Sequence, residues 1–439
     1  MSIELLTGLL FLSMLVLLAI GVPIVFTMGS IGFIFTIFLW GPQSLYMGAS
    51  TVAGQITNVV LLAVPLFVLM GNILERTGLA DDLYDMMYVW LGPFRGGLAM
   101  GTVLICTAFA AMTGITATAT VTMGLIALPS MLRRGYGKEI AIGCIAAGGA
   151  LGVLIPPSVP FVIYALFAGE SVGQLFFGGI IPGLILAALF NLYIAIRSYF
   201  QPSLCPAIQK EERVSWRIKM VKLRAVFSPF LLIIAVLGSI FFGVATATEA
   251  AAVGAFGSIL IALGHRRLNW KNLSQACLNT IKLTSMVMWI IVGAAIFVSA
   301  YSALGAPKMI QQTVISLEMN RWVIMIGIQL VWLVLGCLLD PIGILMITIP
   351  VFLPVIKSLG FNSLWFGVIF IINMEMAFLT PPFGMNLFYM RGVVPEGITT
   401  GDIYRSIIPF VGLQALGLAL CMIFPQLVLW LPSLMIKTG

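Results

Sequence analysis

Charged side chains are scarce in this sequence. Only 8% of its 439 residues are Asp, Glu, Lys or Arg and a single histidine is present, where soluble domains carry about 25% charged residues. The chain is 61% hydrophobic, and uncharged runs long enough to cross a bilayer recur from end to end, which describes an all-α polytopic membrane protein without a soluble domain. The lone histidine, His265, sits beside Arg266 and Arg267 between apolar runs. That position excludes a proton relay and most base-assisted nucleophiles. HExxH and GxSxG patterns are missing, and so is a GxxxxGK[ST] phosphate loop, so neither enzyme chemistry nor use of ATP is expected. The six cysteines contain no CxxC and five lie in apolar segments, which excludes a disulfide frame and a metal cluster. The net charge of +7 comes from basic residues placed between apolar runs, where they orient a membrane chain rather than bind nucleic acid. The start, MSIELLTGLLFLSMLVLLAIGVPIVF, has no basic residue and no small-residue cleavage site, and reads as a first spanning helix.

What is present is glycine and proline, and they repeat. Leu128, Pro129 and Gly135 fall on Leu353, Pro354 and Gly360 at an offset of 225. In the same register Pro156 and Pro157 fall on Pro381 and Pro382, Tyr164 on Tyr389, and Gly29 and Gly32 on Gly254 and Gly257. Punctuating residues kept in one register indicate a duplication, with repeats at 1–200 and 226–439 joined by a basic cytoplasmic linker at 201–225. A spanning helix needs about 20 residues. By that measure the run from Glu4 to Trp40 is two helices cut at Gly21-Val22-Pro23, and a third covers 54–75. The acidic, aromatic stretch 76–92 suits a helix lying on the interface. The run 97–133 is a re-entrant hairpin with its tip at Thr113 to Thr118, 138–168 is one crossing broken at LIPPSVP, and 174–197 is the last. Each half then crosses five times. An odd number makes the second copy enter upside down, an inverted repeat. With the amino terminus outside, this layout puts all but four of the 22 basic residues on the inner side, including Lys210, Arg224 and the rest of the linker cluster; Lys308, Arg321, Lys357 and Lys437 are the exceptions. That is a strong positive-inside asymmetry.

A broken helix in lipid strands backbone N–H and C=O groups at several kcal/mol each, so broken spans survive where protein, water or an ion satisfies them. The first half offers the tip Thr113-Gly114-Ile115-Thr116 and the break Gly152 to Ser158. The second offers Leu338-Leu339-Asp340-Pro341 and Ala377 to Gly384. Half-helix amino termini suit an anionic group, and carbonyls of unwound backbone suit a hard cation such as sodium.

At these residues the chain resembles a family. GALGVLIPPS (149–158), EMAFLTPPFGMNLF (375–388) and TATEAAAVGA (246–255) are similar to segments of the large membrane subunit of TRAP transporters, the tripartite ATP-independent periplasmic uptake systems, and the resemblance covers essentially the whole chain. It implies sodium-coupled import of a small, usually anionic organic solute across the bacterial inner membrane. It implies two partners, a small four-helix membrane subunit and a periplasmic solute-binding protein, and an elevator motion of hairpins and broken helices against a scaffold. Carried over by position, a first sodium site falls on Thr113, Thr116, Gly152, Ile155 and Pro157. A second falls on Ala377, Thr380 and Pro382 with tip residues from Gly336 to Asp340. The family's tip is commonly serine-glycine-serine-serine, whereas here Thr-Gly-Ile-Thr keeps hydroxyls at both ends and has an apolar third position.

Other candidates keep two readings. Asp340 is an ion or solute ligand, or a structural partner to a backbone N–H; Glu249 and Glu375 are buried functional acids or helix caps. Ser158, Asn386 and Arg391 are solute contacts, or, for Asn386, a helix-packing hydrogen bond and, for Arg391, an inside anchor. A stand-alone ion-coupled carboxylate transporter of the same design is the alternative function, and dependence on partner proteins separates it from the tripartite reading.

Overall fold

The computed structural model describes residues 2–114, 116–209, 212–382 and 384–436, with backbone alone at Ala110, Arg224 and Ala225. The tip position Ile115 and the basic residues Lys210 and Lys437 therefore lie outside the described residues, as does the side chain of Arg224. Among the described residues the chain is all helix and turn, with no β-strand.

The first stretch holds α1 (Ile3–Ala19), α2 (Ile24–Trp40), α3 (Leu45–Ile56), α4 (Ala63–Arg76) and α5 (Leu79–Leu91). The hairpin follows as α6 (Gly97–Thr113) and α7 (Thr116–Arg133), then α8 (Lys138–Ala150), α9 (Val159–Ala168) and α10 (Val172–Phe200). After the linker come α11 (Trp216–Phe241), α12 (Ala247–Gly264), α13 (Trp270–Ala303) and α14 (Ala306–Ser316). The last stretch holds α15 (Arg321–Gly336), α16 (Pro341–Ser358), α17 (Ser363–Leu379), α18 (Met385–Val393), α19 (Thr400–Ile423) and α20 (Gln426–Ser433). Among the described residues six helical stretches are long and apolar enough to span a membrane unaided: Val59–Arg76, Val172–Phe200, Ala247–Gly264, Trp270–Ala303, Pro341–Ser358 and Thr400–Ile423. The other apolar helices are shorter or come in broken pairs.

Two details differ from the sequence expectation. The third crossing is not one helix over 54–75, because Asn58 accepts a hydrogen bond from the Val60 N–H at 3.0 Å and starts a 3-10 turn at Val59–Leu62, which separates α3 from α4. Helix α11 begins at Trp216, inside the stretch expected as linker. An uncapped basic run continued by apolar residues needs no stop signal there, so the helix simply extends back into the linker.

Packing divides the helices into two groups. In the first, α2 lies along α13 and α4 along α12 and α13. Glycine makes these approaches possible. A Cβ on Gly32 would fall 2.8 Å from the Ile296 backbone, and one on Gly293 would fall 2.5 Å from the Val25 carbonyl oxygen. Small residues that let backbones touch are how helices associate where lipid is as apolar as leucine. The second group gathers α6 to α10 and α15 to α19 around a common core. Its two hairpins are held differently. In the first, small residues close the gaps, with Gly148 against Cys106 and Gly149 against Thr120. In the second, Trp332 packs on Phe352, Phe366 and Phe370, and its indole N–H donates to Thr348 at 2.9 Å.

The start of the linker is laced to the open end of the first hairpin. Gly96 N–H donates to the Cys205 carbonyl at 3.0 Å, Gly137 N–H to the Leu204 carbonyl at 2.9 Å, and Ile208 N–H to the Gly92 carbonyl at 3.0 Å. Glu212 accepts from the Tyr88 hydroxyl and from Arg134 at 3.4 Å. The Tyr88 hydrogen bond, with Arg134 beside it, holds the Glu212 carboxyl below the usual carboxylate range.

Candidate ion and solute site

Both helix breaks are local consequences of proline. Helix α8 ends at Ala150, a 3-10 turn covers Leu151–Val153, and Pro156, Pro157 and Pro160 have no N–H with which to continue an α-helical ladder. The chain re-enters a helix at Val159. Helix α17 likewise stops at Leu379 before Pro381 and Pro382, and α18 starts at Met385. The Pro156–Pro157 and Pro381–Pro382 peptide bonds are both cis.

At the first break the tip of the first hairpin is seated on the unwound backbone. Gly114 turns with φ +63°, and a Cβ there would fall 2.3 Å from the Pro157 carbonyl oxygen, so this contact requires glycine. Thr113, Thr116, Gly152, Ile155 and Pro157 are all buried. The Thr113 hydroxyl donates to the Phe109 carbonyl at 3.0 Å, whereas the buried Thr116 hydroxyl has no hydrogen-bond partner among the described residues. No described residue donates to the Gly152, Ile155 or Pro157 carbonyls; the nearby Val153 and Leu151 carbonyls are taken by the Ser158 hydroxyl and by the Leu154 and Ile155 N–H groups.

The second break is built on the same plan and differs in its bonding. Gly336 meets α17 at Ala377, where a Cβ on the glycine would fall 2.4 Å from the alanine Cβ, so these two expected site residues are in contact. Thr380 N–H donates to the Ala377 carbonyl at 3.0 Å and Gly384 N–H to the Thr380 carbonyl at 3.2 Å. The Thr380 hydroxyl donates to the Met376 carbonyl at 2.7 Å, and the Tyr404 hydroxyl donates to the Pro382 carbonyl at 2.8 Å. Asp340 caps α16, accepting from Gly343 N–H at 2.9 Å.

Tips and breaks meet in one cavity of about 480 Å³. Gly114, Thr116 and Ala117 come to it from the first tip, Asp340 and Pro341 from the second, Val159 and Pro160 from the first break, and Met385 and Tyr389 from the second. These are the amino-terminal ends of α7, α16, α9 and α18. Four helix amino termini therefore converge on one space, each carrying about half a positive charge, and that of α16 is met by its own cap, the Asp340 carboxyl, which also lines the cavity. Neither α9 nor α18 has a side-chain cap, and no Lys or Arg lines the cavity. The opposite wall is apolar and comes from the other helix group, with Ile24 and Val25 of α2 and Leu283, Met286 and Ile290 of α13.

Of the expected ion ligands only Thr116 and Asp340 line this cavity; Thr113, Gly152, Ile155, Pro157, Gly336, Ala377, Thr380 and Pro382 do not, and neither do the other candidates. Ser158 is buried and turned to the Val153 carbonyl. Asn386 is fully buried; its amide N–H donates to the Ala146 carbonyl at 2.6 Å and its oxygen accepts from Thr120 at 2.6 Å, which ties α18 to α7 and α8. Arg391 donates to the Ile398 carbonyl at 2.7 Å beyond the end of α18. Glu249 completes a capping box with Thr246 at the start of α12. Glu375 is fully buried, and neither carboxyl oxygen has a hydrogen-bond partner among the described residues.

Hard oxygen donors fit sodium, and the first tip and break hold an unpartnered buried hydroxyl at Thr116 and carbonyls that accept no hydrogen bond from a described residue. The residues present there fit such an ion. At the second break the oxygens are of the same kind and already engaged.

Residues 11–427 match the family model of the tripartite ATP-independent periplasmic transporter, DctM component. The chain belongs to this family. It is a multi-pass transporter permease and not an enzyme. The C4-dicarboxylate TRAP transporter large permease protein DctM of Pseudomonas aeruginosa is 34% identical over 91% of this chain and 92% of its own length. The ectoine/5-hydroxyectoine TRAP transporter large permease protein UehC of Ruegeria pomeroyi is 30% identical over 97% of this chain and 98% of its own. Among solved structures, the YdaH transporter of Alcanivorax borkumensis superposes with a TM-score of 0.63 at 13% identity, covering 92% of this chain and 98% of that one, a likeness of fold.

Three features of this DctM-family site were not among the sequence candidates. Tyr389 and Tyr404 carry no motif, although the proline register pairs Tyr389 with Tyr164 and so marked its position. The apolar wall from α2 and α13 has no signature in sequence, because its residues look like any lipid-facing run.

Proposed function

We propose that this chain is the large transmembrane subunit of a secondary active importer in the bacterial inner membrane, driven by sodium and carrying a small organic solute with at least one carboxylate. A periplasmic solute-binding protein delivers the solute, and a separate four-helix membrane subunit completes the complex. One observation carries the reading: both hairpin tips and both helix breaks end in the same cavity, with four helix amino termini around it. Oriented N–H groups in a space of low dielectric favour an anionic group without a formal positive side chain. Relatives whose names specify C4-dicarboxylate and ectoine support a carboxylate on the solute, and one whose name specifies isethionate supports an anionic solute more generally.

The two-repeat, inverted design is part of the proposal. Helix bounds support it: shifted by 225, α7 falls on 341–358, the bounds of α16, and α6, α8 and α9 fall within three residues of the starts of α15, α17 and α18. Contacts support it too, since α2 with α13 and α4 with α12 are the same pairing read from either half, as are α7 with α18 and α16 with α9. In the motion we infer, the hairpins, α8 with α9 and α17 with α18 move as a body along the apolar wall of α2 and α13. Sodium neutralises the unwound backbone oxygens for that passage. Thr116 and the first-break carbonyls hold one ion, the Ala377, Thr380 and Pro382 carbonyls with the second tip hold another, and the solute sits between the helix termini.

Uptake into proteoliposomes tests this, with this chain, its co-purifying small membrane protein and the matching periplasmic protein. Accumulation is expected to require all three components and an inward sodium gradient. Accumulation by this chain alone would replace the tripartite reading with a stand-alone transporter, and accumulation indifferent to sodium would remove the ion assignment.

A further inference from the structure

The two breaks, so alike in sequence, differ in how their carbonyls are occupied. At the first, the Gly152, Ile155 and Pro157 carbonyls receive no hydrogen bond from a described residue and the Thr116 hydroxyl is unpartnered. At the second, each corresponding oxygen is engaged: Ala377 by Thr380 N–H, Thr380 by Gly384 N–H, and Pro382 by the Tyr404 hydroxyl at 2.8 Å. The first two are short-range bonds within the break itself. The third is different, because Tyr404 comes from the inner end of α19, a separate element. The residue 225 positions earlier is Gly179, which has no side chain and whose backbone closes on the Leu154 carbonyl, a Cβ there falling 2.5 Å from that oxygen. The donor therefore exists in one half only. Exposure follows the same division, with Pro156 and Pro157 buried and Pro381 and Pro382 exposed.

We infer that Tyr404 is a positioning residue for the second ion site, whose hydroxyl holds the Pro382 carbonyl while no cation is bound and must yield it when sodium binds. The inference rests on the sodium reading above. Its physical basis is competition for one acceptor: a carbonyl oriented by an O–H donor presents its lone pairs away from a cation. The two ion sites are then unequal by construction. The first is poised, and the second binds against an internal hydrogen bond that a cation must displace. Filling is ordered accordingly, first break before second.

The test is sodium titration of the purified complex without solute, read as thermal stabilisation, on the unmodified protein and on Tyr404→Phe, Thr116→Ala and Thr380→Ala. Loss of the competing hydroxyl should lower the half-saturating sodium concentration about fivefold in Tyr404→Phe, the scale of one net hydrogen bond. The solute KM at saturating sodium should be unchanged, a split that a merely structural role would not produce. Should Tyr404→Phe fail to fold, Tyr404→Met, which also lacks the hydroxyl, is read in the same assay. An unchanged or raised half-saturation in the hydroxyl-less variant, with Thr116→Ala and Thr380→Ala still weakening sodium, overturns the role of Tyr404 alone. No sodium response in any protein overturns the sodium reading and this inference with it.

Discussion

Thr116 is where the cost of one atom is most easily measured. Its buried hydroxyl lacks a described partner, so replacing it removes the proposed sodium ligand and no hydrogen bond to a described residue. Thr116→Ala is expected to raise the sodium concentration for half-maximal uptake about tenfold, the scale of a contact to a charged group, while Thr116→Ser restores it; concentration dependence of proteoliposome uptake decides. Gly114→Ala must place a Cβ against the Pro157 carbonyl oxygen at a left-handed φ, which costs about 1–2 kcal/mol before any clash. Uptake should fall sharply with little change in expression. Glu375 is the opposite case. A carboxyl buried without a partner is destabilising, so Glu375→Met should raise the thermal midpoint by a few degrees. A transport defect in that stabilised variant would mark the carboxyl as functional, and a lowered midpoint would show that it is paired in the folded protein.

Helices set what the chain told in advance. The turn at Thr113 to Thr116 and the breaks at LIPPSVP and TPPFG were all legible, because proline and glycine act on their own backbone and need no partner to be understood. Asp340 was readable as a cap or a ligand, and the bond to Gly343 N–H shows the cap without removing it from the cavity. Tyr404, the Asn386 ties to Thr120 and Ala146, and the linker laced over the first hairpin were not legible, since each joins residues far apart in the chain through side chains common in any helix. Glycine seams are an intermediate case: Gly29 and Gly32 stood out by register, and their partners did not. Gly293→Leu should break the α2–α13 seam, where a Cβ already falls 2.5 Å from the Val25 carbonyl oxygen, and lower the thermal midpoint of the detergent-purified protein by several degrees. The exposed Gly264 has nothing within 4 Å of its Cβ position, so Gly264→Ala is the control and should leave the midpoint in place.

For the whole molecule the proposed inverted design makes a prediction independent of transport. A cysteine replacing Arg266, in the α12–α13 turn, should react with an impermeant maleimide only from the cytoplasmic side. One replacing Glu318, in the α14–α15 turn, should react only from the periplasmic side. Labelling of both from one side would overturn the orientation. The glycine seams also bear on synthesis. Helix α2 finds its closest neighbour in α13 and α4 finds one in α12, so neither half completes its own scaffold. At about 5–20 residues per second, Gly29 enters the bilayer some tens of seconds before Gly293 is made. For that time the notched face of α2 borders lipid or a transient escort, and the first half of the protein waits, inserted and unfinished, for the second.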